Sequence, residues 1–92
     1  MKVTKELLKE MKQGDYVVVK TLGQLIDSGV IIDVEETKVK DVLGKMLPID
    51  YVLTIDDIPL VIISYNNEQY ALDEDMFLQL YPLTRGLEWL YG

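Results

Sequence analysis

The sequence contains no cysteine and no histidine. Without cysteine there can be no disulfide framework, thiolate zinc site, iron–sulfur cluster or thiol nucleophile. The fold must then be held by its core alone, which suits a reducing compartment. Without histidine the chain lacks the usual acid–base residue near neutral pH and the commonest metal ligand. A Ser-His-Asp triad is excluded. Neither glycine-rich phosphate-binding pattern occurs. Long apolar runs are missing too: the longest, Ile58 to Ile63, is six residues, far below the roughly 20 needed to span a bilayer. The opening Met1-Lys2-Val3-Thr4-Lys5-Glu6 lacks the apolar centre of a signal peptide. These absences lead us to expect a cytoplasmic protein that meets no membrane, holds no cofactor or metal, and is not an enzyme.

Positive charge is scarce in one place. The 92 residues carry 9 Lys+Arg against 16 Asp+Glu, net −7. Residues 1–46 hold eight lysines and eight acids; residues 47–92 hold eight acids and a single base, Arg85. The whole excess therefore lies in the second half, and a classical basic nucleic-acid binder is excluded. Apolar residues make up 49% of the chain, an ordinary globular share that argues against disorder. The length allows one domain, residues 1–92, with a core over 4–82 and an apolar tail over 83–92.

Local patterns suggest the elements. Thr4 is a good N-cap for a helix over Lys5–Lys12, with Val3 and Leu8 placed as a hydrophobic staple. Asp15–Thr21 (DYVVVKT) reads as a strand after a Gly-Asp turn. Leu22, Leu25 and Ile26 have helical spacing, so Leu22–Ser28 reads as a loop with one helical turn, and Val30–Glu35 as a strand. Val39, Val42, Leu43, Met46 and Leu47 have helical spacing, so a helix is expected over Thr37–Leu47, ended by Pro48. Asp50–Asp56 alternates as a strand, with Tyr51, Leu53 and Ile55 on one face. Leu60–Tyr65 is a continuous apolar strand, central in its sheet; Asn66-Asn67 turns it into Gln69–Leu72. Asp73, with Glu74 and Asp75 behind it, is expected to cap a short helix over Glu74–Tyr81. The fold class expected is α+β: a small, strongly bent antiparallel sheet or SH3-like barrel with an N-terminal helix and short C-terminal helices.

Three stretches carry a family resemblance: Gly14-Asp15-Tyr16-Val17-Val18-Val19-Lys20, Met46 through Ile55, and Tyr70-Ala71-Leu72-Asp73-Glu74-Asp75-Met76-Phe77. In this order the chain resembles small uncharacterised SH3-like barrel proteins of phages and prophages, over about residues 4–80. The resemblance implies a phage or mobile-element accessory protein and supplies no catalytic residue.

Aromatic residues gather where the acids do. Tyr65, Tyr70, Phe77, Tyr81, Trp89 and Tyr91 all follow residue 64. Tyrosine and tryptophan are enriched at binding hot spots. The residues expected to bind a partner are Tyr70, Glu74, Asp75, Phe77, Tyr81, Trp89 and Tyr91. Asp73-Glu74-Asp75 and the group Asp50, Asp56, Asp57 could in principle hold a hard cation. Helix capping and solvated strand ends explain them more simply, because adjacent carboxylates point apart.

The expected function is binding. An acidic, aromatic half suits a basic protein, such as a nucleic-acid-handling host or defence enzyme, which the chain would inhibit. One alternative is a self-associating structural or assembly protein, a homo-oligomer joined through the C-terminal tail. The other, direct nucleic-acid binding by a small barrel, is disfavoured because the eight lysines of the first half are balanced by eight acids.

Overall fold

The computed structural model describes residues 2–30 and 38–85. The chain opens with α1 (Lys5–Glu10), where the Thr4 hydroxyl accepts a 3.1 Å hydrogen bond from the Leu7 N–H, as its N-cap position predicts. Leu7 and Leu8 face inward, and Val3 packs beside them. Six residues are too few for an isolated helix, so docking of this face is what keeps α1 formed. After it, Gly14 turns the chain at φ +94°, a left-handed conformation that glycine adopts without penalty.

The strand β1 (Tyr16–Val19) follows, alternating half-buried and buried residues. Leu22–Ser28, expected as a loop with one helical turn, is helical over most of its length as α2 (Leu22–Asp27). A reciprocal cap explains it: the Thr21 hydroxyl accepts from the Gln24 N–H, and the Gln24 side chain accepts from the Thr21 N–H at 2.8 Å. Val30 lies in a bend, and the rest of the strand expected over Val30–Glu35 falls outside the described residues.

The helix expected over Thr37–Leu47 is not formed across its described residues. Only one 3₁₀ turn, Lys40–Val42, appears, and Met46–Pro48 is a strand, β2. Gly44 sits at φ +72°, which breaks the helical path, and the Val19 N–H donates to the Lys45 carbonyl, beginning the pairing of β2 with β1. Sheet pairing has overridden local periodicity.

Next come β3 (Tyr51–Ile55), β4 (Ile58–Tyr65) and β5 (Glu68–Leu72), a meander of two tight hairpins. Asp56 and Asp57 form the first turn and Asn66 and Asn67 the second, all with φ between +50° and +66°. Two successive left-handed residues give the turn whose twist matches antiparallel strands, and Asn and Asp tolerate that region best after glycine. The helix expected over Glu74–Tyr81 is also replaced. Asp73 does cap, accepting from the Asp75 N–H, but only for the 3₁₀ turn Glu74–Met76; Phe77–Tyr81 is the strand β6. Here β1 needed a second neighbour, and β6 supplies it.

Two antiparallel three-stranded sheets result, ordered β2-β1-β6 and β3-β4-β5. They confirm an α+β fold. No ladder joins them among the described residues, so the strands do not close into a barrel there. The continuous apolar strand β4 is central, as its sequence suggested. The chain crosses from one sheet to the other through Ile49, whose N–H donates to the Asp15 carbonyl. The core lies among α1 and the two sheets and includes Leu8, Val17, Val19, Ile63, Phe77 and Leu80. Each such side chain contributes about 1.5–3 kcal/mol by leaving water. No helix among the described residues is long and apolar enough to cross a membrane.

Candidate functional site

The meander has two apolar faces, one packed into the core and the other partly exposed, with Ile62 buried and Leu60 half-buried on it. The inner face carries Val52, Val61, Ile63, Tyr70 and Leu72, which join the core beneath α1. Alternation along each strand sends the intervening residues to the other side. Strand register sets Tyr51 against Ile62, Leu53 against Leu60 and Ile55 against Ile58, with Ala71 beside Ile62. This outer face is thus apolar on every strand position from Tyr51 to Ile62. Tyr51, Leu53, Ile55 and Ile58 are 43–53% exposed. Exposed apolar side chains are ordinary singly; three at alternate positions along β3, with Ile58 across from Ile55, form a patch, and patches of this kind mark interaction sites.

Acidic residues frame it. Asp50 precedes β3, Asp56 and Asp57 follow it, and Asp73, Glu74 and Asp75 follow β5. Asp50 accepts a hydrogen bond from the Ser64 hydroxyl. Asp57 is held by two lysines of α1, with the Lys5 ammonium at 3.4 Å and Lys9 closer. Hydrogen bonds from Lys9 and then Lys5, reinforced by their charge, lower its pKa below the ordinary carboxylate value. The same pair ties α1 to the β3–β4 turn. A shallow depression of about 210 Å³ lies beside Ile58 and Pro59, bordered by Lys5 and by Asp73, Glu74 and Asp75. Among the described residues no three acidic side chains gather as a metal site would require.

The residues expected from the sequence to bind a partner fall in different places. Tyr70 and Phe77 are 7% and 2% exposed and belong to the core, so they shape the domain from within and offer no docking surface. Burial, with Glu68 close by, pushes the Tyr70 phenol above its usual pKa. Tyr81 is half-buried at the end of β6, its hydroxyl donating to the Gln79 side chain. Glu74 and Asp75 are exposed and border the depression. Trp89 and Tyr91 lie outside the described residues. The residues that sequence reasoning did not select are Tyr51, Leu53, Ile55 and Ile58. Their alternation is plain in the sequence, but alternation alone does not say which face a sheet turns to the core. No protein-family model, curated protein or solved structure matches the chain.

Proposed function

We propose that the chain is a non-enzymatic protein-binding module that docks a basic partner on the outer face of the β3–β4–β5 sheet. The carrying observation is the contiguous exposure of Tyr51, Leu53, Ile55 and Ile58 within a frame of carboxylates. Apolar area supplies affinity, while the acids steer a positively charged protein and make its capture salt-sensitive. The net −7 of residues 47–92 supports the same reading. Together with the likeness to phage proteins, it favours an accessory protein that inhibits a host or defence enzyme whose surface is built to hold nucleic acid.

The test is affinity capture from host lysate with the native chain beside a Leu53→Glu/Ile55→Glu variant. A basic protein should be retained by the native chain, released at high salt, and absent with the variant. The same proteins on both baits would end the proposal. Self-association is the second reading, favoured by the same exposed apolar face. It predicts a sedimentation coefficient that rises with concentration for the native chain and stays monomeric for the variant.

A further inference from the structure

We infer that the partner binds as an added β-strand on the open edge of β3, and that the segment it contributes is extended, apolar at alternating positions and basic at its ends. This rests on the docking reading above and names how the site is occupied.

The edge is defined by the hairpin. Ile55 and Ile58 flank a two-residue turn, so they exchange both ladder bonds, and so in alternation do Leu53 with Leu60 and Tyr51 with Ile62. Pro59 requires the same phase, because it lacks an N–H and opposes Thr54, where the other phase would demand one. The N–H and C=O groups of Val52 and Thr54 therefore point away from β4. No described strand pairs with them.

Sheet edges are normally protected by charge, proline, brevity or a bulge. Among the other described edge strands, β2 is three residues long and ends in Pro48. The pairing of β6 with β1 is bulged between Val18 and Val19. β5 carries Glu68 and Gln69. β3, Tyr51-Val52-Leu53-Thr54-Ile55, carries no charge and no proline within its five residues; its only charges are Asp50 and Asp56 just beyond its ends, and its start is irregular, the Asp50 N–H also donating to the Ile62 carbonyl. An edge without internal charge or proline, whose side chains continue an exposed apolar face, is the geometry of strand addition.

Charge selects the occupant. Asp50 and Asp56 stand at the two ends of β3. A second copy added antiparallel about Leu53 would place Asp50 against Asp56 at both ends; a parallel in-register copy would place each acid beside itself. Like charges directly opposed are destabilising. The chain's own residues 86–92 carry Glu88 and no base. A foreign strand with lysine or arginine at its ends fits both the apolar row and the acids.

The probe is a short synthetic peptide of alternating valine and threonine with lysines at both ends, titrated into the full chain while amide hydrogen exchange is followed. The lysine-ended peptide should bind more weakly as salt rises and should slow exchange at Val52 and Thr54. N-methylation of its alternate amides on the pairing edge should weaken binding at least tenfold. Absence of binding overturns the inference. Equal affinity for the methylated peptide, with Val52 and Thr54 unchanged, also overturns it while leaving side-chain docking on the face intact. Two further results would replace the occupant. Protection at Val52 and Thr54 that grows with protein concentration would assign a second copy. Protection already present without peptide, and lost in a Trp89→Ala variant, would assign the chain's own tail.

Discussion

The carboxylate of Asp15 receives both the backbone N–H and the hydroxyl of Thr84, at 2.8 and 2.6 Å, across 69 residues of sequence. Its second oxygen accepts from the Lys12 N–H at 2.9 Å. Asp15 is fully buried, so these three donors replace its water. The contact fastens the chain after β6 to the turn between α1 and β1.

Asp15→Asn should therefore destabilise the domain severely. One end of an amide is a donor, and it would face either Lys12 N–H or the Thr84 pair, leaving donors opposed in a buried site. A loss of about 2–4 kcal/mol is expected, with Asp15→Ala at least as costly. Urea unfolding followed by circular dichroism measures it; a midpoint unchanged from the native chain would contradict this role.

The β3–β4 turn should respond to acid. The pKa of Asp57 is lowered in the folded chain, so its contribution is complete above the ordinary carboxylate value and is lost as pH falls through the lower, folded value. Asp57→Asn keeps a residue suited to φ +66° and removes only the charge. The native chain should lose more stability than this variant as pH falls below the ordinary carboxylate value of about 4. Parallel stability curves over that range would show that the lysine pair contributes nothing there.

Leu53 and Ile63 test which face of the meander is core. Leu53 is 43% exposed and Ile63 is fully buried. Leu53→Glu should change unfolding free energy by no more than about 0.5 kcal/mol. Ile63→Ala should cost roughly 2–5 kcal/mol through lost burial and an unfilled cavity. Comparable losses at both positions would mean that the outer face is covered.

The sequence conveyed some of this architecture and not the rest, for physical reasons. α1 was legible because Thr4 and its apolar stripe are local signals. The meander was legible because Asn66-Asn67 announces a tight turn and Asp50–Asp56 and Leu60–Tyr65 read as strands, although Asp56, read as strand, belongs to the first turn. The segments at residues 37–47 and 74–81 misled because helical spacing and an acidic cap are also local, whereas their strand state is imposed by β1, distant in sequence. The outer face was visible as the alternation Tyr51, Leu53, Ile55, yet it is more apolar than the opposite side of β3 (Val52, Thr54). Only the docking of α1 decides that the less apolar side turns inward.

The division of the strands into two sheets sets an order of events. β3, β4 and β5 are consecutive, so the meander needs only two short turns to close. The pairing of β1 with β6 must enclose about two-thirds of the chain between them and costs more closure entropy. The meander should be assembled in the folding transition state while the other sheet is still open. Asn67→Val, which strains a turn residue at φ +66°, should then mainly slow refolding, and Phe77→Leu should mainly hasten unfolding, in stopped-flow experiments. The exposed edge of β3 would thus exist before the domain is complete, and a strand-adding partner could engage the chain while it folds.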